Sequence, residues 1–456
     1  MEVSNFGFRR PQCPGFPLPS VESGCEFLRF FGHRAPEVVL FPGIRRQVVD
    51  LDFLTFEKLD DLPPAGRRSH VDAQGTLRAL VKPTMHRRES LACLLGTAAA
   101  TAFAQTTSTM SLASAVDAVV SLVQETVAAG TVKAAALHVQ RGDERHLHAF
   151  GTAAPDSMCL LGSITKPFTA LAVMILADRG ELKLSDPAMR YLPEFSEGDR
   201  ADVTIEHLLT HTSGLPDQLP DNNAMRARHA PLSEFVAATV GTPLSFAPGT
   251  QYQYQSMGIL LAAEIVERLT KQPLPAFLAE NVFAPLGMKR SVLGVGSFQK
   301  DDLVPMQTDR AAPEAGGGDP SAKSWDWNSD YWRQLGAPWG GAHASAGDAA
   351  VLLREFLAPS GKILREATAR EMILNHTPGL GADRGLGFQL GADLGKGCSP
   401  AAFGHPGSTG TLAWADPATG TSFVLLTSMP KNVSGDLLLD PASDRLAGVR
   451  ITTIAR

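Results

Sequence analysis

The sequence predicts an α/β (α+β) chain: an antiparallel sheet flanked by helices and carrying an inserted helical lobe. Two observations predict it. Hairpin patterns stand at Lys133–Thr152 and at Gly410–Thr427, and the stretch between them is mostly helical in pattern. Strands at both ends of a helical middle fit one sheet interrupted by an insertion. The composition is that of a globular protein, with 44% hydrophobic and 19% charged residues. A length of 456 residues allows two or three domains. The net charge of −6, the lack of an extended basic block and an aromatic share of 7% give no sign of a nucleic-acid partner.

Residues 1–84 carry scattered prolines and arginines and sustain no apolar face. They read as an upstream extension, disordered or foreign to the native protein. Met85 then opens a segment with a basic start at Arg87-Arg88, an apolar stretch and an Ala-x-Ala step before Gln105. Residues 85–104 are therefore expected to be a signal peptide, with Met85 as the natural start and a periplasmic or secreted product. The competing reading is an internal apolar helix. Its apolar run is too short and too interrupted to span a bilayer. Residues 105–456 form the expected functional domain.

Within it, Ser111–Ala128 reads as an amphipathic helix with Leu112, Val116, Val119, Val120 and Val123 on one side. Ala134–Val139 alternates imperfectly, Arg141-Gly-Asp-Glu turns, and His146–Phe150 returns as the second strand. Apolar residues recur from Phe168 through Leu171, Ala172, Ile175 and Leu176, one face of a helix that Gly180 ends. Its residues between are apolar too, so burial on most sides is expected. Ala311–Pro320, rich in glycine and proline, reads as a flexible loop. Trp325, Trp327, Trp332 and Trp339 follow; they either wall an apolar pocket or pin that loop.

The chemistry starts at Ser163-Ile-Thr-Lys166. At the start of a helix these two side chains stand one turn apart on one face. A serine hydroxyl is a weak nucleophile and needs a base. A lysine desolvated at the positive end of a helix is pushed toward its neutral form and can take the serine proton. Alone, a four-residue pattern also fits a capping serine beside a solvated lysine. Two further stretches support the chemical reading: Pro248-Gly-Thr-Gln-Tyr-Gln-Tyr254-Gln-Ser256-Met-Gly258, and Gly404-His405-Pro-Gly407-Ser408.

In this order the three stretches resemble the penicillin-recognising serine hydrolases, which include class C β-lactamases, D-aminopeptidases and family VIII carboxylesterases. Further stretches are similar to that family: Gly180–Glu194, Ile205–Pro216, Phe283–Met288 and, more loosely, Gly340–Asp348. The resemblance runs from about residue 115 to about 430. It implies a β-lactamase/transpeptidase-like fold with the site between an α/β part and a helical part. It implies Ser163, Lys166 and Tyr254 as catalytic residues, with Tyr254 handling the leaving-group proton. It implies Ser256, His405, Gly407 and Ser408 as substrate-binding residues, and the N–H groups of Ser163 and Ser408 as the oxyanion hole. Neither metal nor organic cofactor is implied.

Two departures bear on the substrate. Ser256 stands where the family usually has asparagine, so a contact to Lys166 and to a substrate amide is weakened or rebuilt. His405 stands where β-lactamases carry lysine, and is a less reliable cation. These departures favour a carboxylesterase over a D-amino-acid peptidase or amidase, and over a β-lactamase. Replacing His405 by lysine is then expected to raise β-lactam turnover relative to ester turnover. A binding or scaffold protein with the same fold is the reading of another class. The expected partner is a small ester or amide; the oligomeric state stays open. His207 and His211, four apart, read as structural residues, since no H-E-x-x-H occurs. No G-x-S-x-G elbow occurs either. The cysteines, Cys13, Cys25, Cys93, Cys159 and Cys398, show no C-x-x-C spacing. Cys159 reads as a buried thiol not paired with Cys398.

Overall fold

Ser111 caps the first helix of the computed structural model, which describes residues 111–449. Its side chain accepts the Ser114 N–H, satisfying one orphan donor of Leu112–Ala128. The expected extension 1–84, the expected signal segment 85–104, Gln105, Cys13, Cys25 and Cys93 lie outside the described residues. Cys159 and Cys398 are both free and buried.

Strands β1 (Ala134–Arg141) and β2 (Glu144–Gly151) form the expected hairpin. Short strands β3 (Cys159–Leu160), β4 (Ser291–Leu293) and β5 (Ala342–Ala344) make a small sheet in the order β3-β5-β4. The last strands are β6 (Gln389–Leu390), β7 (Phe403–Gly407), β8 (Thr411–Asp416) and β9 (Thr421–Thr427). The main sheet runs β2-β1-β9-β8-β7-β6, antiparallel at every step.

Both faces of that sheet are covered, which explains the imperfect alternation in β1. Ala134 and Ala136 face the larger core, with Ala413, Ala415, Val424 and Leu426 and the helix Ala346–Leu357. Ala135, Leu137 and Val139 face a second core against the helices Leu112–Ala128 and Asp440–Ala447. With no wet face, the strands carry apolar residues at both parities. Between the sheet's two halves lies the helical lobe, including Asn222–Ala227, Leu232–Val240 and Met257–Thr270.

Helix Thr165–Asp178 runs through the larger core and is buried from Thr165 to Leu176. Arg179 closes it and Gly180 follows at φ 79. No helix of the described residues is long and apolar enough to cross a membrane. One expectation changes. Ala311–Pro320 is a packed segment of tight turns, with Ala315, Gly316 and Gly317 N–H groups bonded back to Ala312 and Pro313. Gly317 lies so close to the Ala311 carbonyl that a Cβ would come within 1.7 Å of it. Its glycines serve close contact as well as freedom.

Candidate active site

Gly162 sets the entry to the site. It takes φ 56, and a Cβ there would stand 2.8 Å from Thr409 Oγ1 and 3.2 Å from the Ser408 nitrogen. Threonine hydroxyls lock this approach: Thr409 Oγ1 donates to the Leu160 carbonyl and Thr411 Oγ1 to that of Leu161. The chain therefore makes one 3-10 turn, Gly162–Ile164, before the α-helix begins at Thr165. Ser163 sits in that turn, half-buried and open to the cleft.

Lys166 is wholly buried. Its Nζ donates to Ser163 Oγ at 3.1 Å and to the Trp339 carbonyl at 3.0 Å. Burial brings its pKa down to about 7; the Asp217 charge works against this and the Arg384 charge reinforces it. A substantial fraction is then an amine, in hydrogen-bond contact with a serine hydroxyl.

Tyr254 closes the other side. Its ring lies 4.8 Å under Lys166 Nζ, and its hydroxyl is buried without a hydrogen-bond partner of normal geometry. Burial pushes the phenol pKa upward, offset in part by the neighbouring Ser163 hydroxyl. Behind the ring lie His211 at 4.6 Å, His405 at 5.9 Å and the Arg384 guanidinium at 5.6 Å. Arg384 also stacks on Tyr252 and hydrogen-bonds its hydroxyl. Burial, and next the Arg384 and Lys166 charges, hold both histidines well below the usual imidazole range. They stay neutral at ordinary pH.

The structure thus brings Ser163, Lys166 and Tyr254 together and sorts the other predicted residues. Ser256 and Ser408 line the same cleft as Ser163 and Tyr254. Ser256 has a rebuilt contact: its Oγ donates to Asp217 Oδ1 at 2.5 Å. His405 is only 2% exposed and stands behind Tyr254, outside the cleft lining; its Nδ1 bonds the Pro406 carbonyl. Gly407 also lies outside the lining. A Cβ there would meet Thr411 Oγ1 at 2.1 Å and the Leu161 carbonyl at 2.3 Å. Its need is close packing of β7 against the Ser163 turn. His207 closes a capping box with Thr204.

Three residues escaped sequence reasoning: Asp217, Arg226 and Arg384. Asp217 directly follows the family-like stretch ending at Pro216, which was a usable signal. Arg226 and Arg384 stand in no motif, and their burial at 3% and 8% exposure is visible only in three dimensions. Of the tryptophans, Trp327, Trp332 and Trp339 wall the cleft, whereas Trp325 packs on Gly316.

A family model described as Beta-lactamase matches residues 119–445. The chain belongs to the beta-lactamase family. Its fold is the β-lactamase/transpeptidase-like one of that serine hydrolase family. Esterase EstB of Burkholderia gladioli is 33% identical over 326 residues, spanning 62% of this chain and 81% of that protein. Among solved structures, EstCE1, a hydrolase with promiscuous acyltransferase activity, superposes with a TM-score of 0.60 at 22% identity, over 74% of this chain and 99% of that one. D-amino acid amidase of Ochrobactrum anthropi SV3 gives 0.58 at 22% identity, over 74% of this chain and 97% of that one. At such identities the structural likenesses speak for the fold of this beta-lactamase family member and not for its substrate.

Proposed function

We propose that this chain is a carboxylesterase working through an acyl-enzyme on Ser163. The observation that carries the proposal is the contact of 3.1 Å between Ser163 Oγ and a wholly buried Lys166 whose pKa is held at about 7. Lys166 as amine takes the hydroxyl proton while Ser163 Oγ bonds the ester carbonyl carbon. The oxyanion lies between the N–H groups of Ser163 and Ser408, the Ser408 nitrogen bordering Gly162, the residue before Ser163. As the tetrahedral species collapses, the C–O bond to the alcohol breaks and the alkoxide takes a proton relayed from Lys166 through Tyr254. A water then repeats the sequence on the acyl-enzyme, releasing the acid and restoring Ser163.

The esterase preference rests on two features. A β-lactam carboxylate needs a fixed cation beside the cleft, whereas His405 is neutral, buried and outside the cleft lining. The Ser256 hydroxyl, bound to Asp217, offers no carboxamide to orient a substrate amide. The similarity to EstB supports the same choice.

The test is kcat/KM for a short-chain ester, a D-amino acid amide and a cephalosporin, side by side, with a fluorophosphonate probe of the nucleophile. The ester should be the best substrate, the probe should label Ser163, and Ser163→Ala should lose both. A better cephalosporin, or full activity in Ser163→Ala, overturns the reading. A binding-only protein would show neither turnover nor labelling.

The proposal includes export, motivated by the pattern from Arg87-Arg88 to Ala104. Expressed from Met85, the protein should be recovered outside the cytoplasm with Gln105 near its new N-terminus. Cytoplasmic protein with a protease-resistant 1–84 segment contradicts this part.

A further inference from the structure

Arg226 is a buried cation in the wall of the candidate cleft, and its bonding is incomplete. It comes from the helix Asn222–Ala227 and is 3% exposed. Its Nη1 donates to the Glu314 carbonyl at 3.0 Å, and its guanidinium stacks 4.3 Å from the Trp332 ring. Its Nε is buried without any hydrogen-bond partner. A guanidinium carries five donors in a fixed fork and cannot shed its charge in a protein. A buried donor left unpaired is costly, and a buried charge more so. Burial does lower the Arg226 pKa, to about 10, and the charges of Tyr331, Glu314 and Asp217 only partly compensate.

The position of this cation says what could complete it. Arg226 lines the cleft of about 120 Å³ that Ser163, Tyr254, Trp327, Trp332 and Ser408 also line. The Trp332 ring holds the guanidinium plane, so the fork is pre-oriented. A planar anion matches such a fork with two parallel hydrogen bonds.

We propose that Arg226 is a specificity-determining residue that binds a carboxylate at the far end of the substrate's acyl chain. The preferred substrates are then half-esters of dicarboxylic acids, with the free carboxylate on Arg226 and the ester carbonyl at Ser163. The proposal rests on the acyl-enzyme reading for its catalytic consequence but not for binding. The competing role is structural: Arg226 merely pins the Ala311–Pro320 segment through the Glu314 carbonyl.

Two measurements separate these roles and keep the two readings distinguishable. The first is kcat/KM for monomethyl succinate, glutarate and adipate, each against its monoamide of the same shape. At least one acid should exceed its amide by roughly tenfold or more, the effect of one charge-assisted contact. Arg226→Gln should cut that ratio about tenfold, and Arg226→Lys should retain part of it. The second is binding of the same probes to Ser163→Ala, read by tryptophan fluorescence or calorimetry, which needs no turnover. Binding that favours the acid and falls in the Ser163→Ala, Arg226→Gln double variant supports the site even if esters are not hydrolysed. Should Arg226→Gln fail to fold, competition by free glutarate against glutaramide on the unmodified protein gives the same comparison. Equal handling of acid and amide, or an equal loss of both in Arg226→Gln, overturns the proposal.

Discussion

Replacing Arg384 by methionine should move the acid limb of the pH–rate profile upward. In the proposed mechanism Lys166 acts as base only when unprotonated, so kcat/KM should rise with pH through its pKa of about 7. Arg384 disfavours the protonated lysine, and its removal raises that pKa. Lys166 Nζ and the Arg384 guanidinium lie 4.8 Å and 5.6 Å from the Tyr254 ring centre, so their charges are at most about 10 Å apart. At that separation Coulomb's law gives about 0.4 kcal/mol at the dielectric constant of water and about 1.7 kcal/mol at an effective value of 20. The limb should therefore shift by about 0.3 to 1.2 pH units, with activity at pH 6 falling most. The assay is a pH-stat titration of a short alkyl ester from pH 5 to 9, since a phenolic leaving group would titrate in the same range. Arg384→Lys keeps the charge and should leave the limb near its original place. Burial and the Arg384 and Lys166 charges hold His211 and His405 well below the usual imidazole range. A limb unmoved or moved downward in Arg384→Met, or one near 10 in the unmodified enzyme, refutes the reasoning.

Lys166→Met should abolish the proposed esterase activity yet stabilise the fold by about 1–3 kcal/mol in denaturant titration at pH 7. The sign follows from a folded pKa of about 7 against an unfolded value of 10.5: the penalty is full below pH 7, is relieved as pH rises through this window, and is gone above it. Gly407→Ala should cost about 1–3 kcal/mol by overpacking and lower kcat by displacing the Ser163 turn, seen as a lower denaturation midpoint with reduced turnover. The sequence pattern alone pointed to higher β-lactam turnover relative to ester turnover in His405→Lys. At 2% exposure, beside Arg384 and Lys166, the new ammonium would be buried among like charges. The expected outcome is lower soluble yield and no gain in cephalosporin kcat/KM.

The sheet and the candidate trio of Ser163, Lys166 and Tyr254 were legible for different reasons. The hairpins at Ala134–Gly151 and Thr411–Thr427 are local, so turn residues and strand patterns mark them. Ser163 and Lys166 are one helical turn apart, so spacing alone sets their meeting. Tyr254 needed a motif, because it lies 91 positions after Ser163 and 88 after Lys166 and no periodicity links it to them. Nothing local could reveal that Gly407 serves packing or that His405 lies behind the tyrosine, since both depend on how β7 meets the Ser163 turn. Arginines are usually solvated, and nothing in the sequence marks Arg226 and Arg384 as buried against Trp332 and Tyr254.

The pairing of β1 with β9 has a consequence for how this chain acquires its shape. His138 lies opposite Val424, so this seam of the sheet joins residues nearly the whole domain apart. Such a seam closes late, because the entropy of a very long loop must be overcome before its contacts reward it. As the polypeptide leaves the ribosome, the first hairpin emerges with one open edge and waits while the helical lobe is synthesised. Until Thr421–Thr427 arrives, that edge is a template for pairing with another chain. Synthesis halted before residue 421 would release an aggregation-prone intermediate, and a circular permutant that links the helix Asp440–Ala447 to the helix Leu112–Ala128 would bring β9 and β1 close in sequence and shorten the wait.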